Sequence, residues 1–352
     1  MIEVRDLQKT FPGSGSLLTR NPVQALRGVN LTLNDQAVIS VIGESGCGKT
    51  TMGRILAGLE SPSGGSLIYD GQDLASLAPA ERQASFLKVQ MIHQDPYTAL
   101  NPSHTIRHTL HAPLTHEARR LGKADAGSWV DRRARELLEL VGLNPQGTLH
   151  KYPHALSGGQ RQRVVIARAL TVNPTVLIGD EAVSMIDVSM RLDILNLLAE
   201  LRTQLTLAIL FITHDVAAAR YIAADGALCV LYQGEMVEYG PTDEVIRRPL
   251  HPYTQALLSA MPVLRGMEEP GPDRYLLERD MDEVVAKEPS CSFSPRCPFA
   301  TERCRTNHPP LVLATEDRST PEHLHRCWYP TPRSVAAIPR EEVLEGGHHG
   351  LE

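Results

Sequence analysis

The sequence predicts an α/β fold, a mainly parallel sheet covered on both faces, followed by a small cysteine-rich region. Three observations predict it. Short apolar, β-branched runs alternate with helix-compatible stretches, as parallel strands joined by crossover helices require. One run ends in a glycine-rich loop at 43–50, directly before a helix-compatible segment. After residue 248 the alternation gives way to prolines, charges and cysteines.

The elements follow in order. Residues 1–42 predict strands and turns, with Met1 to Asp6 as a first strand rather than a signal peptide and 12–22 as an exposed loop. Ala37 to Ile42 is a buried strand, and Thr51 to Ala57 begins a helix. Residues 62–72 predict a strand ended by a turn, and 88–92 a short strand. From Thr105 to about Gly142 the pattern is helical, and Gly142 supplies the stop. Another helix begins after Ser157, and one lies around 189–203 between buried strands at 175–179 and 208–212. The main domain therefore takes 1–248, the second region 249–330, and 331–352 is a loose tail without apolar periodicity.

With 352 residues, 42 % hydrophobic and 22 % charged, the chain can bury a large core in more than one domain. A net charge of −6 gives no basic footprint for nucleic acid. No run approaches the roughly eighteen apolar residues of a membrane span. The chain is therefore expected in the cytoplasm, and any work at a membrane needs a partner to bring it there.

The loop Gly43-Glu44-Ser45-Gly46-Cys47-Gly48-Lys49-Thr50 has the phosphate-binding pattern G-x-x-x-x-G-K-[ST]. Its strand-to-helix setting aims unpaired backbone N–H groups and a positive helix end at an anion. Lys49 would reach the β- and γ-phosphates, and the Thr50 hydroxyl would hold Mg²⁺. Leu156-Ser157-Gly158-Gly159-Gln160 opens another helix and offers a second anion-binding end, although alone it is only a capped helix. The strand Val176 to Gly179 delivers Asp180 and Glu181 to its carboxyl end. Asp180 suits Mg²⁺ and Glu181 suits polarisation of a water. The alternative, a surface acid pair, fits poorly behind an apolar strand. His214 follows another strand; taken alone it would more often be structural.

Together these segments resemble the ATP-binding cassette (ABC) family over residues 1 to about 248, and LSGGQ separates that family from other phosphate-loop ATPases. The resemblance implies an ABC-type P-loop ATPase with a RecA-like core and a helical subdomain at about 96–164. It implies that Gly43, Ser45, Gly46, Cys47, Gly48, Lys49, Thr50 and Thr51 bind nucleotide. Phe11 would stack on adenine. Thr50, Gln94 and Asp180 would hold Mg²⁺, and Glu181, His214 and Gln94 would form the catalytic set. It implies a head-to-tail cassette pair in which Ser157 and Gly159 act on the partner's ATP, with Gly158, Gln160 and Asp187 also binding nucleotide. Ala182, Val183, Met185, Ile186 and His93 depart from the usual residues without removing a phosphate-contacting group, so ATP hydrolysis is still expected.

His251-Pro252-Tyr253-Thr254 and the order of Asp95 to Pro102 resemble the oligopeptide/dipeptide importer subfamily. Four cysteines follow, Cys291, Cys297, Cys304 and Cys327, spaced C-x5-C-x6-C-x22-C. In a reducing compartment such clustering suggests metal ligands before disulfides. The spacing leans to zinc, while the resemblance implies a [4Fe–4S] cluster; His308, His323 and His325 are alternative ligands. The subfamily implies an importer ATPase at the cytoplasmic face of the membrane. Its partners would be two permease subunits, a second and more often different ATPase, and indirectly an extracellular solute-binding protein. The rival expectations are a non-transport ABC ATPase in DNA repair or translation and an accessory subunit of a soluble enzyme complex. The cargo is not written in the chain.

Overall fold

The structure is a computed structural model that describes residues 1–13, 22–260, 268–269, 273–275, 289–314, 322–335 and 338–339. Most of the expected 12–22 loop and of the tail lies outside these residues.

The strands are β1 (Ile2–Phe11), β2 (Val23–Leu33), β3 (Val38–Ile42), β4 (Gly64–Tyr69), β5 (Gln72–Asp73), β6 (Val89–Ile92), β7 (Val176–Asp180), β8 (Ala208–Ile212), β9 (Ala227–Tyr232), β10 (Glu235–Pro241), β11 (Glu268–Glu269), β12 (Val312–Leu313), β13 (Leu324–His325) and β14 (Ile338–Pro339). An antiparallel sheet runs β2-β1-β4-β5, and the main sheet runs β12-β13-β10-β9-β3-β8-β7-β6. From β9 to β6 every neighbour is parallel. All five residues of β3, β7 and β8 are buried, which is why they read as unbroken apolar runs rather than alternating ones. Ser40, the one polar residue of β3, donates its hydroxyl to the Ala219 carbonyl at 3.0 Å.

The helical stretch expected at 105–142 is two helices, Ile106–Arg120 and Ala126–Leu140. Gly122 at φ 62° ends the first, and the Asp125 carboxylate accepts the Ser128 N–H at 3.1 Å to cap the second. Both pack with Gly158–Ala169 in one apolar core that continues under the main sheet through Leu177, Ile209 and Phe211.

Two findings describe the region after 248. β13 pairs antiparallel with β10 and β12 with β13, so part of the region extends the main sheet, while β11 pairs with β14 in a separate two-stranded sheet. The tail does not begin at 331, because Val335 is fully buried and Gln255 Nε2 donates to the Thr331 carbonyl at 2.7 Å. Among the described residues no helix is long and apolar enough to cross a membrane.

Candidate active site

Parallel order puts the carboxyl ends of β3, β7 and β8 side by side, where ligands bind in such sheets. The 43–50 loop leaves β3 and ends on Gly48, which takes φ 105° and caps the helix Lys49–Leu56. A Cβ at Gly48 would sit 2.3 Å from the Ala25 carbonyl oxygen, so glycine is required there. Lys49 is 5 % exposed and donates to the Gly43 and Glu44 carbonyls at 2.7 and 2.8 Å. Its ammonium is thus held over the loop that would receive phosphate oxygens.

The Thr50 hydroxyl donates to Asp180 Oδ1 at 2.9 Å. Burial, with a smaller contribution from neighbouring Glu181, pushes the Asp180 carboxyl up, against the Thr50 hydrogen bond. A hydroxyl oxygen and a costly buried carboxylate are the hard oxygen donors that Mg²⁺ takes, so these residues fit it.

Glu181 adopts φ 49°, an uncommon conformation for a non-glycine residue, and its N–H donates to the Ile212 carbonyl at 2.8 Å. Its carboxylate is fixed from three sides. Gln94 Nε2 donates to Oε2 at 2.8 Å, the Ser184 hydroxyl reaches the same oxygen at 3.1 Å, and His214 Nδ1 lies 3.1 Å from Oε1. A carboxylate so oriented beside a cation site can take a proton from a water. The structure therefore brings Gln94, Glu181 and His214 together, and adds Ser184, whose side-chain role the sequence did not signal.

Ser157 and Gln160 form a capping box: the Ser157 hydroxyl accepts the Gln160 N–H at 3.3 Å, and Gln160 Oε1 accepts the Ser157 N–H at 3.1 Å. Both are exposed, and Asp187 is exposed too. Among the described residues, 157–160 make no hydrogen bond to the 43–50 loop, so this helix end is not paired with the phosphate loop of its own chain. Of the departures from the usual residues, Ala182, Val183 and Ile186 are buried in the core, while Met185 is 57 % exposed. Phe11 is half-buried at the end of β1, with Lys9 Nζ 4.8 Å from its ring.

In the second region the four cysteines do meet. Cys291, Cys297, Cys304 and Cys327 line one cavity of about 30 Å³ with Phe293 and His251. None is in a disulfide. Burial pushes the Cys297 thiol up to about 12 and that of Cys327 up to about 11. Among the described residues, however, no group of three or more His, Cys, Asp or Glu is arranged to hold a metal ion, so this finding supports neither zinc nor a cluster. The histidine alternatives fall away. His308 Nε2 lies 3.0 Å from Glu235 and His323 Nε2 2.8 Å from Glu238, both on β10. His325 is buried on β13 and does not line the cavity.

One residue of the loop gave no signal in the sequence. Glu44 pairs with Arg296 through two hydrogen bonds of 2.7 and 2.8 Å, across 252 positions.

Comparison with known proteins shows the family. The pattern of the ABC transporter family matches residues 26–184, and that of the oligopeptide/dipeptide transporter C-terminal region matches 237–304. The oligopeptide transport ATP-binding protein AppF of Bacillus subtilis is 37 % identical over 92 % of this chain and 97 % of its own. The dipeptide transport ATP-binding protein DppF of Escherichia coli is 37 % identical over 88 % of this chain and 90 % of its own. Among solved structures, the ATP-binding cassette MJ0796, a dimer bound to ADP and Pi, aligns with TM-score 0.58 at 30 % identity, covering 67 % of this chain and 96 % of its own. The chain therefore belongs to the ABC transporter family of ATPases, in its oligopeptide/dipeptide branch.

Proposed function

We propose that this chain is the ATP-hydrolysing subunit of an importer for peptides or related small solutes. The carrying observation is the Glu181 carboxylate, fixed by Gln94, Ser184 and His214 beside the Thr50–Asp180 pair. The 43–50 loop and Lys49 bind the phosphates, with Thr51 next in the helix. Thr50, Asp180 and Gln94 hold Mg²⁺, which when bound neutralises phosphate charge. Glu181 orients and deprotonates the attacking water, and His214 contacts the γ-phosphate. Phe11 stacks on adenine.

The 157–160 helix end, whose Ser157 and Gln160 are exposed, and Asp187 act in trans on the ATP of a second cassette, more readily a different subunit than a copy. The MJ0796 dimer supports pairing of this kind. Relatives named for oligopeptide and dipeptide transport support the cargo class and two permease partners, with the chain bound peripherally at the cytoplasmic face. Gln94 relays closure to the permeases, and an extracellular solute-binding protein delivers the cargo. The four thiols hold a [4Fe–4S] cluster, supported by their convergence on one cavity.

The test is anaerobic affinity purification of the full-length chain from its own membranes. Two permeases, a second cassette and about four irons per chain are expected. Co-purification with a soluble enzyme and no permease would sink the importer assignment; iron-free protein would sink the cluster alone.

A further inference from the structure

Glu44 has every polar group engaged. Its backbone N–H donates to the Tyr253 hydroxyl at 2.8 Å. Its carboxylate accepts both terminal nitrogens of Arg296. Its carbonyl accepts Lys49 Nζ at 2.8 Å and the Cys47 N–H at 3.3 Å. The first two partners come from the segment after 248, and the last two are phosphate-loop groups. Glu44 is therefore a joint between the second region and the loop that would cradle phosphate.

The anchors are themselves firmly held. Tyr253 is 1 % exposed, with its ring centroid 4.6 Å from Tyr232 and 5.5 Å from Phe293. The Arg296 N–H donates to the Phe293 carbonyl at 3.0 Å, and its guanidinium lies 5.8 Å from the Tyr232 ring. Two parallel N–H···O bonds fix both the position and the plane of a carboxylate, which a single point charge does not. Both anchors attach at Glu44, the second residue after β3.

We infer that Arg296 and Tyr253 are positioning residues for ATP, acting through Glu44 to preorganise the phosphate loop. Neither touches the nucleotide; they remove conformational freedom that binding would otherwise have to remove. The inference rests on ATP binding alone and stands whatever the cargo or the content of the cysteine cavity.

The test uses the full-length chain and a fluorescent ATP analogue, with thermal midpoint, kcat and KM for ATP measured in parallel. Arg296→Gln is expected to weaken nucleotide binding and raise KM about fivefold, the scale of one partly exposed ion pair, with kcat and midpoint unchanged. Tyr253→Phe is expected to move affinity in the same direction. The swap Glu44→Arg with Arg296→Glu should recover most of the affinity, and Arg296→Lys only part of it. Unchanged affinity in Arg296→Gln overturns the inference. So does a loss of affinity that tracks the midpoint and is not recovered by the swap, because that is the signature of a purely structural clip.

Discussion

Replacing Glu238 tests how the second region is fastened to the catalytic core. Its carboxylate is fully buried and accepts three hydrogen bonds: Leu250 N–H at 2.8 Å, His251 N–H at 2.9 Å and His323 Nε2 at 2.8 Å. Leu250 N–H and His323 share Oε1, while His251 N–H has Oε2. Gln keeps the shape but turns one acceptor into an NH₂ donor, so at least one buried donor loses its acceptor. An orphaned buried donor costs about 1–3 kcal/mol, and the charge assistance at His323 goes too. Glu238→Gln should therefore cost about 2–3 kcal/mol. Glu238→Ala should cost about 4 kcal/mol, because it leaves both N–H groups and the histidine without an acceptor. Urea denaturation of the full chain reads the loss as a lower midpoint at unchanged slope. A loss under about 0.5 kcal/mol for Glu238→Gln would show that the three contacts are not formed in solution and would refute the reasoning.

Other outcomes follow from the same geometry. Glu181→Gln should leave ATP binding intact and lower hydrolysis about 10²- to 10⁴-fold, seen as ATP retained through gel filtration; comparable turnover would remove Glu181 from its role. Gly48→Ala forces a Cβ against the Ala25 carbonyl and should abolish binding of a fluorescent ATP analogue at micromolar concentrations; retained binding would contradict the loop geometry. His251 titrates low, at about 3 against an ordinary 6.5, because it is buried, with His325 and Arg326 adding to the shift. The unfolded chain takes up its proton at a pH where the folded one does not. Stability from this group is thus complete above about pH 6.5 and falls as pH drops toward 3, by up to about 1.4 kcal/mol per unit. His251→Asn should flatten that part of a stability–pH curve, and a slope identical to the parent would refute it.

The chemistry was legible because each part of it is a local string. Strand, glycine loop and Lys49 occur within fourteen consecutive positions, 37–50, and Asp180–Glu181 closes an apolar run. What the sequence hid depends on partners far along the chain or on elements too short to carry a period. β12 and β13 have two residues each, so no alternation announces them. Glu44 and Arg296 are surface-type charges with nothing local to mark them as partners. The break at 121–125 was masked because charged and small residues on both sides suit a helix equally, leaving only Gly122 and Asp125 as signals. His308 and His323 suggested ligands by composition, yet the acids on β10 take both.

The addition of β13 to β10 also bears on how the chain avoids self-association. With β13 and β12 in place, the outer side of β10 is covered by two very short strands. Short strands offer a newcomer few free backbone groups to pair with. A protein ending at 248 would instead present β10 as an open edge, with the Glu238 carboxylate stripped of all three donors. Such an edge recruits strands from other molecules, so the region after 248 guards the cassette against aggregation as well as completing its fold.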